Sequence, residues 1–399
     1  MLRTVKIVSV ATLWLVPLLV LVWAFSSGWL PAWKAVGVHA MLPRFSDLST
    51  IPEGLQTLRQ GKDPLVTNPN NPMGLPYNYP RIWLYLFSAL RINVENVWAI
   101  AIPLCACYLI CMSLLIAQAK HVEDVFLLLF ASLSIAPMLA LERGNIDLSV
   151  FSLTFLSCAT TNRYAKSLAL GAASVLKLFP FAGMVIEAVR RPAKQRMLPF
   201  LFAGLVLVLF AWQWRDINLI RHATPIARSR SYGVLSLQAE ITYLLSASLS
   251  SSIPMGWIVA VGFWLVVLSL LGLAWKAELD LDPALFNSPQ GEMFSVFGAI
   301  YVFTYAIGSN WDYRLMFLLP TIPFALELIR MAQFKRWAGA YLILVVLAEN
   351  ASGLEGHGGT PLGHLATFLL FMLIVVVLTQ QAKSLVSAPA FSASLALGS

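Results

Sequence analysis

The sequence predicts an all-α polytopic membrane protein, and three observations carry that prediction. Mean hydropathy is +0.76. Of 399 residues, 59% are hydrophobic and 12% charged, too little polar surface for a water-soluble shell. Apolar runs of roughly 17–22 residues recur along the chain, the length a helix needs to cross hydrocarbon. They are continuous rather than alternating, which excludes a transmembrane β-barrel. In lipid the backbone must satisfy itself, so such runs form a helical bundle. The whole chain, 1–399, reads as one integral membrane domain.

Twelve spans are expected, at approximately 7–25, 95–118, 124–141, 146–161, 166–178, 180–190, 197–214, 253–275, 293–308, 315–330, 337–350 and 362–380. The first follows Arg3 and Lys6 and lacks a small-residue cleavage site after "LVWAFSSGW", so it reads as an uncleaved helix. The stretch "SLALGAASVLKLFPFAGMVIEAV" fits one kinked span or two half-length ones. Basic flanks on both sides, "NRYAK" and "RRPAKQR", favour two, because the chain must then leave and return, with Pro180 at the break. Both termini are then cytoplasmic. Outside the two long loops, 26–94 and 215–252, Lys and Arg divide 14 inside to 3 outside. The net charge of +8 is explained by this topology and by anionic lipid, with no call on nucleic acid. Cys105, Cys107, Cys111 and Cys158 all fall in apolar spans and read as small hydrophobes.

Both long loops carry expected helices. Leu48, Ile51, Leu55 and Leu58 recur at helical spacing, Thr50 with Glu53 fits a capping box, and Gly61 fits a stop. That predicts a helix lying on the membrane surface, with its charges on the wet side. A second, too short to span, is expected at 79–91, and a third over "YGVLSLQAEITYLL". The Pro- and Asn-rich "NPNNPMGLPYNYP" between the first two predicts an irregular loop, ordered or mobile.

The three outside basic residues, Arg143, Lys177 and Arg314, sit among the residues that could carry chemistry. Asp47 is either an ordinary N-cap or a functional carboxylate at the surface. In "LERGNIDL", Glu142, Arg143, Asn145 and Asp147 lie between two spans. Asp147 is expected about one turn into the second, as a functional acid or as the partner of Arg143 in an ion pair. Lys177 either snorkels to headgroups or meets an anionic group such as a lipid phosphate. "HATPIARSRSYG" offers His222, Arg228 and Arg230 to an oxyanion. "GSNWDYRLMF" offers Asn310, Trp311, Asp312, Tyr313 and Arg314 in a short turn, suited to a sugar ring or phosphate. Glu349, Glu355, His357 and His364 fall in one Gly-rich stretch without the convergent spacing of a metal site. Every cluster lies on the same side of the topology, which was set by basic flanks alone.

An ordered set of these segments resembles a known family. "SD" at 46–47, "GKDP" at 61–64, "YNYPRIWLYLFSAL", "ERGNIDL", "AASVLKLFP" and "NWDYRLMFLLPTIP" look like the GT-C type membrane glycosyltransferases, and most like glycosyltransferase family 87, the polyprenol-phosphate-mannose-dependent mannosyltransferases. The resemblance covers about residues 44–320. It departs at "YPR", 79–81, where a second proline is usual. It implies a GT-C fold and a metal-independent, inverting transfer of a hexose, mannose by default, from a polyprenyl-phosphate donor to a glycolipid or glycan acceptor. The reaction would take place on the extracytoplasmic face of the cell membrane, with no cofactor beyond the lipid-linked donor. Asp47 matches the catalytic base. Lys177, Arg143, Arg228 and Arg230 are assigned to the donor phosphate by charge and position. Asn145, Asp147, Trp311, Asp312, Tyr313, Arg314 and Tyr79 are assigned to sugar or acceptor. Two other classes stay open: a transporter or flippase of lipid-linked sugars, which should place charges near the midplane, and a structural subunit, for which Asp47→Asn is silent.

Overall fold

A computed structural model describes residues 1–191, 195–246, 255–277, 279, 281–354 and 359–387. The middle of "RRPAKQR", the first residues of the span expected at 253–275, and Glu355 and His357 lie outside the described residues.

The chain is helical almost throughout. In order it forms α1 (Leu2–Ser27), α2 (Trp29–Ala35), α3 (Ser46–Arg59), α4 (Ile82–Ala89), α5 (Trp98–Gln118), α6 (Val122–Ser132), α7 (Ile135–Arg143) and α8 (Asp147–Ala159). There follow α9 (Arg163–Leu176), α10 (Phe181–Arg190), α11 (Met197–Trp212), α12 (Trp214–Ala223), α13 (Val234–Ser246) and α14 (Met255–Lys276). The last group is α15 (Pro283–Asn287), α16 (Pro289–Ile307), α17 (Ile322–Ile329), α18 (Lys335–Asn350) and α19 (Gly359–Ser387). A 3-10 helix over Asp312–Thr321 leads into α17. The only described strands, β1 (Ser231–Tyr232) and β2 (Asn310–Trp311), pair antiparallel with Ser231 opposite Trp311.

Among the described residues, five helices are long and apolar enough to cross a membrane, and two bent pairs bring the total to seven. The run expected as one span at 124–141 is broken between α6 and α7, which bend by 45°. The runs at 146–161, 166–178 and 180–190 form helices of 13, 14 and 10 residues. At 1.5 Å per residue these are about 15–21 Å long, shorter than a hydrocarbon core of about 30 Å. The expected span at 315–330 is part 3-10 helix, part α17.

The charged ends of the helices meet in pairs at one end of the bundle. Lys6 donates to the Ala117 carbonyl at 2.7 Å, Lys120 pairs with Glu327 at 2.9 Å, and Arg330 pairs with Asp124. Lys166, at the start of α9, pairs with Glu292 and lies 3.9 Å from Glu187 near the end of α10. So α9 and α10 run away from this layer and back as a hairpin, with Lys177 at its turn. Part-exposed pairs contribute little energy individually; their value here is positional. Helix α16 runs from this layer to the Lys177 end, about 28 Å away at helical rise. Between the two lies an aromatic core in which Phe151 meets Tyr108, Phe297 and Phe317 at 5.4–5.6 Å.

Helix α3 forms where its leucine spacing predicts, but its environment differs. Leu48, Ile51 and Leu55 are buried in the protein rather than laid on lipid, and Leu58 is exposed. Its stop is as expected. Gly61, at φ +76, donates to Leu58 O, and Lys62 N donates to Thr57 O, a Schellman closure that needs the left-handed residue. The capping box does not form. The helix starts at Ser46, so the Thr50 hydroxyl bonds back to Asp47 O, and Glu53 is buried, accepting from Asn71 Nδ2 at 2.8 Å. The Pro/Asn-rich loop is ordered by such contacts: Thr57 Oγ1 donates to Asn68 Oδ1 at 2.6 Å and accepts from Asn70 Nδ2 at 2.9 Å. Helix α4 packs Trp83, Leu84 and Phe87 inward and turns Tyr85 and Leu86 outward.

Burial raises the Glu53 carboxyl from 4.5 to about 7, with the Asn71 hydrogen bond pulling it back down. A carboxyl whose folded value lies above its unfolded value stabilises the fold below the unfolded value and loses that contribution as pH rises through the folded one. The protein should therefore melt at a lower temperature near pH 8 than near pH 5, and Glu53→Gln should flatten this difference. Melting curves of both proteins at the two pH values test it; an unchanged slope in the variant would assign the dependence elsewhere.

Candidate functional site

Four segments converge at the end of the bundle opposite the paired charges. The first is the N-terminus of α3. Phe45 precedes it at φ +54, and Asp47 is the second residue of the helix, so it is not the cap. A carboxylate in a first helical turn interacts favourably with the helix dipole. Its side chain is 21% exposed.

The second segment is the turn between α7 and α8. Gly144 sits at φ +56, and a Cβ there would meet Ala101 and Phe45 side-chain atoms at 3.1 Å. Only glycine fits both the left-handed turn and the close approach. The turn sends Asn145 Nδ2 to Asp47 Oδ2 at 2.5 Å and places Arg143 Nη1 3.6 Å from Asp47 Oδ1. Arg143 is itself held by Glu142 at 2.8 Å and by Ser46 Oγ at 3.1 Å. Buried Glu142 also accepts from Trp29 Nε1 at 2.7 Å and Met41 N at 3.0 Å.

The third and fourth segments are the α9–α10 turn and the 3-10 helix. Asp147 is fully buried and is the first residue of α8, not one turn in. It does not pair with Arg143. Its Oδ1 lies 2.5 Å from Lys177 Nζ and its Oδ2 2.8 Å from Arg314 Nε. Lys177 is the residue just after α9, extended at φ −152, because Pro180 cannot continue the helix. Its ammonium sits 4.9 Å over the Tyr79 ring, and Arg314 sits 5.3 Å over Phe179. Arg314 also reaches Asn310 Oδ1 at 2.5 Å. Two cations around one carboxylate leave one surplus positive charge, met in part by two aromatic faces. Burial first, then the negative charge of Asp47, raises the Tyr79 phenol well above its ordinary range, so it stays a protonated donor beside the cluster.

The structure thus brings together Asp47, Tyr79, Arg143, Asn145, Asp147, Lys177 and Arg314. Tyr313 is buried beside Arg314. A second group lies apart. Arg228 pairs with Glu240 at 3.4 Å and stacks 3.5 Å over Tyr243. Arg230 accepts at its carbonyl from Asp312 N, 3.1 Å away, and with Asp312, Ser231, Ser352 and Thr367 it lines a cavity of about 20 Å³, the volume of one water. Trp311 is half-buried in the strand pair. His222 contacts its own helix, through Asn218 O at 2.7 Å. His364 bonds Arg228 O at 2.8 Å, and Glu349 is buried against Ser134 Oγ at 3.0 Å. Among the described residues no three His, Cys, Asp or Glu side chains could together hold a metal.

Arg81 is the residue the sequence reading undervalued. Its guanidinium joins Asp63 at 2.8 Å to Asp216 of α12 at 2.7 Å, so the "GKDP" turn is tied through it to the second long loop. The signal was the departure at "YPR" itself, where a cation follows the single proline. The asparagines of "NPNNP" gave a similar signal, Asn71 as the donor for buried Glu53 and Asn68 and Asn70 as partners of Thr57.

The chain matches no protein-family model and no curated protein.

Proposed function

We propose that the chain is a membrane glycosyltransferase that moves a hexose, most simply mannose, from a polyprenyl-phosphate donor to a lipid-linked or glycan acceptor with inversion. What supports the reading is one juxtaposition: a part-exposed carboxylate, Asp47, shares a site with a buried cluster of surplus positive charge, Lys177–Asp147–Arg314. Inverting transfer needs those two things. Asp47 takes the proton of the acceptor hydroxyl, and that oxygen bonds to the anomeric carbon. The bond from the anomeric carbon to the phosphate oxygen breaks, and polyprenyl phosphate leaves with the electron pair. Lys177, Arg314 and Arg143 neutralise the charge that develops on it. Asn145 holds one Asp47 oxygen, and the other, with only the longer 3.6 Å contact to Arg143, is the one offered to the acceptor. Asp147, with both oxygens taken, acts by holding the two cations rather than by touching sugar. Arg228 and Arg230 lie further along the same end and suit the outer part of the donor or the acceptor.

Under this reading the helices form a GT-C arrangement. Helices α8, α9, α10, α11, α16 and α17 count with the five long helices and the bent α6–α7 pair toward about twelve crossings, one for each expected span. The site then faces the extracytoplasmic side of the cell membrane and both termini the cytoplasm. A flippase reading is weaker because charges gather at the two ends, not near the midplane.

The purified full chain in nanodiscs, given polyprenyl-phosphate-mannose and a panel of glycolipid and glycan acceptors, should release polyprenyl phosphate and yield a mannosylated acceptor. Transbilayer movement of the donor without product, or no product from any polyprenyl-phosphate hexose, would overturn the proposal.

A further inference from the structure

Helix α12 stands apart from the rest of the bundle. Its predecessor α11 exposes Leu201, Leu205 and Val208, side chains suited to hydrocarbon. The chain then bends by 73° into α12. Trp212 and Trp214 flank that bend and are 82% and 67% exposed. Tryptophans so placed mark the headgroup level of a bilayer. No residue of α12 is buried. Leu219 and Ile220 lean on the core, while Arg215, Asn218, Arg221 and His222 are exposed. Among the described residues, no side chain holds Arg215 or Arg221 in an ion pair or hydrogen bond; Arg215 acts on Asp63 only through its field.

We propose that α12 is a binding arm for anionic phospholipid headgroups of the surrounding bilayer. Arg215 and Arg221 take the headgroup phosphates, and Trp212 and Trp214 set the depth. The occupant is a lipid surface and not another protein because the outward face is basic and continues directly from a lipid-exposed helix across an aromatic-marked bend. A ready anchor holds the arm at fixed height: Asp216, on its inner side, is tied by Arg81 to Asp63 at 2.7 and 2.8 Å. Headgroup seating at α12 is therefore coupled to the first long loop, which carries Asp47. None of this depends on which reaction the chain catalyses.

A nitroxide at position 218 reports on the arm. It is introduced as Asn218→Cys together with Cys107→Ser, since Cys107 is the exposed native thiol. The full chain goes into nanodiscs of phosphatidylcholine, with and without phosphatidylglycerol. Phosphatidylglycerol should immobilise the label, and added salt should reverse the effect. Arg215→Gln with Arg221→Gln should keep the label as mobile as in neutral lipid, each lost arginine weakening headgroup partitioning about fivefold, from about 1 kcal/mol per basic side chain at a membrane surface. Arg215→Lys with Arg221→Lys should restore the response. The proposal fails if phosphatidylglycerol leaves the label unchanged, or if the response survives in the glutamine variant. It also fails if polyprenyl phosphate alone immobilises the label, or if immobilisation follows the number of protein copies per disc instead of the lipid.

Discussion

Asp47→Asn is expected to leave the protein folded and to lower hexose transfer by about 10²–10⁴-fold, the usual contribution of a positioned general base. Folding should survive because Asp47 is part-exposed and its two ties, to Asn145 and Arg143, can both be met in part by an amide. The lost helix-dipole interaction should lower stability by only about 0.3–1 kcal/mol. Proton transfer has no such substitute. Asp147 shares the cluster, but its oxygens are both engaged by cations. Glu142 is buried under Trp29 and Arg143. The measurement is product formation at saturating donor, with melting temperature as the control for folding. Turnover equal to wild type in a folded Asn variant would remove Asp47 as base and would favour the structural-subunit reading.

Much of the fold was legible because lipid imposes one rule, backbone self-satisfaction, and each long apolar run obeys it as a helix. The basic flanks were equally informative. Lys6, Lys120, Lys166 and Arg330, grouped on one side by counting charges, do gather at one end of the bundle. Crossing lengths were less legible. A run such as 180–190 shows that a helix is apolar, but its ten residues do not reveal whether it spans alone. Helix α3 failed in a different way. Its spacing located an apolar stripe, and periodicity does not say whether a stripe faces lipid or protein. The candidate site was legible as a set of types: acids and cations beside helix breaks. The pairing was not. Arg143 and Asp147 are four apart in sequence, which suggested an ion pair. Gly144 puts the turn between them, so Arg143 joins Asp47 and Glu142 while Asp147 joins Lys177 and Arg314, 30 and 167 positions on. Contacts of that separation leave no trace in one sequence.

Asp147→Asn should destabilise the protein by about 3–5 kcal/mol, the range for removing one partner of a buried ion pair. The reason is the charge that remains. Asp147 is fully buried and is the shared partner of Lys177 and Arg314. Without it two cations face each other with the Asn310 amide oxygen and the rings of Tyr79 and Phe179 as their remaining compensation, and such aromatic contacts supply about 0.5–2 kcal/mol each. Those contacts are already made with Asp147 in place, so they add nothing to offset the loss; the cluster should open and the α9–α10 turn should loosen with it. Lys177→Met in the Asn background should recover part of the stability, because it removes one uncompensated charge while keeping volume. The single Lys177→Met should be milder than Asp147→Asn, since it leaves a one-to-one pair with Arg314. Thermal unfolding of the wild type, both single variants and the double variant closes the cycle and gives the coupling directly. If Asp147→Asn melts with wild type, or if the two substitutions simply add, the three side chains are not acting as one unit. Asp147 would then return to the role of a sugar contact, and Lys177 would need another group to keep it in place.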